Sequence, residues 1–234
     1  MIVCEKARLT YTAVPKNACT SMKCFFYHVN TGDDFAEVTP KKNLGYQGIH
    51  HVDGYRMHRF RARDYSPLSH LEHVAIIRDP LDRFRSAFKN RLFQYNDIRN
   101  QPKARRRAEE LDLELQPSFG TFIDRLEDYL DASRVVLFHL RPASFFLGGD
   151  LGFYHHVYPI ARTEDLCELV RQRSGCDVAT VRANESHAAE QPDYRLSAAQ
   201  FDKLNRYLAR DYELLSDYYS PRRYEELPAD MLAA

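Results

Sequence analysis

Leu9-Thr10-Tyr11-Thr12-Ala13-Val14-Pro15-Lys16-Asn17-Ala18-Cys19-Thr20-Ser21 reads as a strand that passes through a polar turn into a helix. Leu9 to Val14 is apolar and β-branched enough for a short strand. Pro15 ends ladder pairing because it has no N–H to donate. From Thr20 onward, Met22, Phe25, Phe26 and Val29 recur at helical spacing, which predicts a helix beginning near Thr20. The loop Lys16–Ser21 then lies at a helix N-terminus, where free backbone N–H groups and the positive dipole end favour an anion. Lys16 adds a mobile charge, and Thr20 and Ser21 add hydroxyl donors. An ordinary Ser/Thr-capped helix has the same local pattern, so the loop alone does not decide the chemistry. The nucleoside-triphosphatase pattern closes a Gly-rich loop with Lys-Ser/Thr. Here the Lys opens the loop and no Gly is present, which argues against a standard ATP or GTP site.

A second segment, His73-Val74-Ala75-Ile76-Ile77-Arg78-Asp79-Pro80, repeats the plan. Val74–Ile77 is a continuous apolar run that suits a strand buried on both faces of a parallel sheet. Asp79 can cap the next helix, and Pro80 suits its first position. Leu81, Phe84, Phe88, Leu92 and Tyr95 mark that helix's buried stripe. Arg78 falls at the strand's carboxyl end, where open α/β sheets place ligands. Ser86 comes about two helical turns further on. A guanidinium fork and a hydroxyl donor together suit a phosphate. An isolated Arg at such a position is more often a structural ion-pair partner. The two segments together predict a nucleotide site with one phosphate cradle each.

The paired segments resemble the cofactor signature of sulfotransferases that use 3′-phosphoadenylyl sulfate (PAPS), in particular the carbohydrate sulfotransferases of sulfotransferase family 2. Pro15-Lys16-Asn17-Ala18-Cys19-Thr20-Ser21 is similar to their 5′-phosphosulfate loop, and Arg78-Asp79-Pro80 with Arg83 and Ser86 to their 3′-phosphate motif. His139-Leu140-Arg141-Pro142, Tyr158–Leu166, Asn184-Glu185-Ser186 and Asp211-Tyr212-Glu213-Leu214 resemble further family segments, so the likeness spans most of the chain. It implies a P-loop NTPase-like three-layer α/β/α fold with a mainly parallel central sheet. It also implies PAPS as co-substrate without a metal, and a hydroxyl acceptor, saccharide or glycolipid. Lys16, Asn17, Ala18, Cys19, Thr20 and Ser21 would hold the 5′ end, Arg78 and Ser86 the 3′-phosphate, and Ser186 would add a contact. The chain lacks the family's usual basic residues around Ser186.

Composition sets bounds. At 234 residues the chain is long enough for a substantial core, and residues 1–234 read as one domain. The 33 Lys and Arg balance the 33 Asp and Glu, so no global field draws the chain to nucleic acid or a membrane surface. No stretch approaches the roughly 20 apolar residues of a membrane span, and no signal-peptide pattern is visible, which predicts a cytoplasmic protein. The five cysteines lack CxxC spacing and read as reduced thiols that bind no metal. Elsewhere the pattern predicts a second strand at Gly45–Val52 and a basic helix at Gly54–Arg63. It also predicts helices over Pro102–Leu113, from Phe119 to Leu130, and over Glu164–Gln172 and Ala198–Tyr219, and a strand at His156–Ala161. Strands alternating with helices indicate a mainly parallel sheet.

Sulfuryl transfer needs charge stabilised on the leaving oxygen, an activated acceptor hydroxyl, and the two in line across sulfur. Lys16 and the loop N–H groups suit the first task. A His suits the second, since its unperturbed pKa lies near neutrality. Gly48-Ile49-His50-His51-Val52 resembles the His-containing segment of uronyl 2-O-sulfotransferases, where a His is the base. Strand alternation would put His50 and His51 on opposite faces, and His51 is favoured. His139 competes as base or as a substrate-side brace. Arg56, His58, Arg59, Arg61 and Arg63 form one basic stretch and Arg105-Arg106-Arg107 a second; of these, Arg56 and Arg59 are the favoured acceptor contacts. Two other classes stay open. A nucleotide-dependent phosphotransferase predicts a Lys-Ser/Thr loop end and a Mg²⁺-binding acid, and neither is apparent. A non-catalytic polyanion-binding protein predicts salt-sensitive binding indifferent to PAPS, against which the neutral charge and missing nucleic-acid module weigh.

Overall fold

The computed structural model describes residues 1–38, 42–180 and 191–232. In chain order the main elements are β1 (Ile2–Cys4), β2 (Leu9–Thr12), α1 (Cys19–Thr31), β3 (Glu72–Ile77), α2 (Pro80–Phe88), α3 (Pro102–Glu110), α4 (Phe119–Asp124), α5 (Leu126–Ala132), α6 (Arg134–Leu140), β4 (His156–Pro159), α7 (Thr163–Ser174) and α8 (Ala198–Leu214). The chain forms two compact units. The first comprises Met1–Arg78 and Ala143–His187, the second Asp79–Pro142 and Ala188–Ala234.

The first unit holds a four-stranded sheet in the order β1-β2-β3-β4. β1 is antiparallel to β2, while β2, β3 and β4 run parallel, with Thr12 opposite Ala75 and Ile77 opposite Pro159. This is the mixed α/β class with the mainly parallel sheet that the sequence predicts. Alternation sorts the strand residues. Leu9, Tyr11, Val74 and Ile76 share an apolar cluster with Met22, Phe25 and Phe26 of α1 and with Leu166, Cys167 and Val170 of α7. Burying each such aliphatic or Phe side chain contributes about 1.5–3 kcal/mol. The intervening Thr10, Thr12 and His73 make polar pairs instead. Thr10 Oγ1 lies 2.9 Å from His73 Nδ1, and Thr12 Oγ1 lies 2.7 Å from Tyr65 Oη.

Several expected elements differ. β2 stops at Thr12 rather than Val14, β4 stops at Pro159 rather than Ala161, and β1 lies outside the expected set. The strand predicted at Gly45–Val52 is a run of 3-10 turns over Lys42–His51. Two glycines in that stretch weaken a strand, and Ile49 is buried in the α1 cluster with Tyr46 and Val52 packed against it. Strand alternation therefore does not govern His50 and His51. The basic helix predicted at Gly54–Arg63 is also absent. Residues 55–61 have no regular secondary structure, and a single 3-10 turn comes next at Ala62–Asp64. Clustered like charges oppose a helix there. Phe60 fixes the path instead: its N–H donates to Phe145 O at 2.8 Å, and its ring packs on Tyr65 and Phe153. Gly148, at φ +84°, admits that ring, since a Cβ there would lie 2.8 Å from it.

In the second unit, α2 starts as its sequence predicts. Asp79 accepts from Asp82 N at 3.0 Å, and Pro80 occupies the first helical position. Leu81, Phe84, Phe88 and Leu92 are buried, but Tyr95 is 46% exposed, with the Arg91 guanidinium 4.7 Å from its ring centre. The cause is a π-helical turn over Lys89–Gln94, which inserts a residue and rotates the next side chains off the stripe. The single helix expected from Phe119 to Leu130 is broken at Arg125 into α4 and α5, with Phe119, Phe122, Ile123 and Leu126 still buried. α8 opens on a capping box between Ser197 and Gln200, and it buries Phe201, Leu204 and Leu208. At the centre of this unit Arg83 is buried. It donates to the carbonyls of His139 (3.3 Å) and Arg141 (2.7 Å) and to Asp211 Oδ2 (3.0 Å).

Candidate active site

The loop between β2 and α1 contains no glycine, yet two of its residues have left-handed backbone, Lys16 at φ 69° and Ala18 at φ 56°. Such residues cost of order 1–3 kcal/mol each and persist only where the surroundings hold them. Here the surroundings are the end of β3. Asn17 is buried and its Nδ2 donates to Ile76 O at 2.9 Å, and Arg78 donates to Lys16 O at 3.1 Å. Two hydrogen bonds thus bind the first motif to the second across about sixty residues. Ala18 is the N-cap of α1 and offers no side-chain cap to the helix's first N–H groups. The Asn17 N–H between these two residues donates to Val14 O at 3.2 Å.

Behind the loop stands a buried polar chain. Lys23 of α1 is fully buried, with Nζ 3.0 Å from His50 Nδ1, and His50 Nε2 lies 2.9 Å from Thr20 Oγ1. Burial lowers the Lys23 pKa to about 8, partly opposed by Cys19 and Cys24. In the unfolded chain the ammonium holds its proton to about 10.4. Between pH 8 and that value the unfolded state therefore binds more protons, so stability rises with pH. We expect the unfolding free energy of the wild type, relative to Lys23→Met, to rise by roughly 3 kcal/mol over this window. Denaturant unfolding at successive pH values checks it; a flat difference overturns the buried-ammonium assignment.

The other expected residues are spread over both units. Cys19 and Thr20 are buried in the first turn of α1, and Ser21 is half-buried beside them. His51 is exposed; its carbonyl accepts from Arg56 at 3.3 Å, and Arg56 also pairs with Asp53. Arg56 and Arg59 line a cavity of about 410 Å³ together with Thr12 and Ala13, the residues that lead into the loop. Ser86 (on α2, half-buried) and His139 (on α6) belong to the second unit. His139 Nδ1 lies 2.8 Å from Val135 O, and its own carbonyl serves Arg83, a bracing arrangement. Ser186 lies outside the described residues. Arg105, Arg106 and Arg107 each pair with a carboxylate, Glu109, Glu110 or Asp131, as a solvated helix face does. Among the described residues no group of His, Cys, Asp and Glu assembles to hold a metal, and no helix is long and apolar enough to cross a membrane. The five cysteines are free thiols.

Compared with known protein families, the chain matches the one described as the sulfotransferase family over residues 1–218. The chain belongs to the sulfotransferase family. Among curated proteins and among solved structures, none matches it. Family membership makes this a sulfotransferase in the general sense, a transferase acting toward a hydroxyl acceptor. The sulfotransferase's loop combines a helix N-terminus without a side-chain cap, two residues of positive φ, and Lys16. Sequence patterns alone do not single out Lys23. Its signal is present, a lone charge inside the otherwise apolar Met22-Lys23-Cys24-Phe25-Phe26, but the partner His50 lies 27 residues away.

Proposed function

We propose that this sulfotransferase takes the sulfuryl group from PAPS and delivers it to a hydroxyl of a saccharide or glycoconjugate. The observation that carries the reading is the glycine-free loop held in left-handed backbone by Asn17 and Arg78. It joins the two anion-binding motifs into one structure at the carboxyl ends of parallel strands. PAPS supplies an activated sulfuryl group on a phosphate that is a good leaving group. Lys16 and the N–H groups at the start of α1 hold the negative charge that grows on that phosphate. Arg78 supplies the guanidinium for the 3′-phosphate. The acceptor hydroxyl approaches from the cavity lined by Arg56 and Arg59, which suits a polar ring with an anionic substituent. The base is His51. Both ring nitrogens of His50 are engaged, by Lys23 and by Thr20, whereas the His51 ring is exposed. As the acceptor oxygen bonds to sulfur, its proton passes to His51 and the bond from sulfur to the 5′-phosphate oxygen breaks.

Calorimetric titration with 3′-phosphoadenosine 5′-phosphate (PAP), ADP and AMP tests the reading. PAP is expected to bind more tightly than ADP or AMP, and Arg78→Ala to weaken PAP binding by about 10- to 100-fold. Equal affinity for PAP and ADP overturns the proposal.

A further inference from the structure

Lys23, His50 and Thr20 lie in sequence from the core to the phosphate loop, at 3.0 and 2.9 Å. An ammonium has three donors and no lone pair, so His50 Nδ1 must accept from Lys23. A neutral imidazole then carries its proton on Nε2, which donates to Thr20 Oγ1. A second positive charge on the ring is opposed by the ammonium beside it. Thr20 is the second residue of α1. With one lone pair filled from behind, its own O–H proton is turned away from His50.

We propose that this chain delivers the buried charge of Lys23 to the ligand's phosphate through the Thr20 hydroxyl, so that Lys23 and His50 are positioning residues for anion binding and His50 is not the base. Each bond polarises the next, which makes Thr20 a stronger donor than an isolated hydroxyl. The inference rests on the PAPS reading given above. Loss of the Lys23 proton removes the constraint that fixes this direction and lets the chain reverse. A neutral amine can accept from Nδ1–H, Nε2 then accepts from Thr20, and the hydroxyl proton points inward, away from the ligand. Burial brings that titration to about pH 8.

The other titratable groups facing Lys23 are Cys19 and Cys24 on α1, and the Met1 amine beside β1. Burial pushes the Cys24 thiol up to about 12, out of the window, with Asp34 adding to the shift. Burial, with Lys23 beside it, lowers the Met1 amine, against which Asp64 acts. Cys19 is the thiol at the loop itself and needs its own control.

The test is calorimetric PAP affinity from pH 6.5 to 9.5 for the wild type and for Lys23→Met, Thr20→Val and Cys19→Ala. In the wild type, affinity is expected to fall about tenfold as pH rises through 8. Lys23→Met and Thr20→Val should show the weaker affinity at every pH, with no step, and Cys19→Ala should retain a step, moved to lower pH because Cys19 opposes the Lys23 shift. Thr20→Val is isosteric, so it carries the test if Lys23→Met does not fold. A wild-type pH profile in Thr20→Val, or wild-type affinity at pH 7 in either chain variant, overturns the relay. Absence of PAP binding by the wild type at all pH values overturns the PAPS reading instead.

Discussion

Lys16→Ala is expected to lower turnover by about 10²–10³-fold, the typical loss when one donor to a developing oxyanion is removed. Lys16 stands at the rim of the loop in left-handed backbone, and alanine meets the same backbone cost as lysine. The variant should therefore melt with the wild type, which separates a chemical loss from a structural one. Charge on the bridging phosphate oxygen is larger in the transition state than in bound PAPS. The loss should therefore appear mainly in kcat rather than in KM for PAPS. PAP, which carries the fully developed charge, should also bind more weakly. Steady-state rates at saturating PAPS, with thermal melts of the same preparations, make the measurement. Near-normal turnover removes Lys16 from the chemistry and reduces the loop to a capped helix.

Asp211→Ala should cost about 3–5 kcal/mol of stability, because it leaves the Arg83 guanidinium charged and buried without its counter-ion. The two side chains are 4% and 3% exposed, so water cannot replace the carboxylate. Against a total stability of about 5–15 kcal/mol, that loss approaches unfolding. Arg83→Met in the Asp211→Ala background should recover part of it by removing the orphaned charge. The carbonyls of His139 and Arg141 still lose their donor, so recovery is incomplete. Urea unfolding midpoints of the two single variants and the double variant give the coupling. An Asp211→Ala midpoint matching the wild type would sink the argument.

This ion pair also explains two segments that carry part of the family resemblance. His139-Leu140-Arg141-Pro142 and Asp211-Tyr212-Glu213-Leu214 meet at Arg83, one through main-chain carbonyls and the other through a carboxylate. Their role is to brace α2, and no sequence pattern shows a carbonyl being used. The legible part of the chain is local. The apolar run Val74–Ile77 marks a strand, Asp79-Pro80 marks a helix start, and Pro15 marks the end of β2 pairing to within a few residues. The illegible part is set by neighbours. Gly45–Val52 has strand-like residues, but Gly45 and Gly48 weaken a ladder, and Tyr46 and Ile49 reach the core cluster from 3-10 turns instead, with Val52 just after them. The stripe ending in Tyr95 obeys a 3.6-residue period, and the π turn at Lys89–Gln94 breaks that period without any Gly or Pro to announce it. The loop's anion-binding character is visible in residue type. Its left-handed geometry without glycine is not, because the bonds from Asn17 and Arg78 that hold it come from tertiary structure.

The borders of the sheet bear on how this protein behaves in concentrated solution. Its formal charge is +0 at pH 7, so like-charge repulsion does little to keep molecules apart. An open strand border would then invite cross-molecular pairing. Among the described residues both borders are short: β1 has three residues and β4 has four, the last of them Pro159, which has no N–H to offer a newcomer. Arg173 and His156 further place polar groups at Glu72, beside β4. Colloidal stability near neutrality thus rests on strand length and a proline rather than on charge, and lengthening β4 past Pro159 by design would put it at risk.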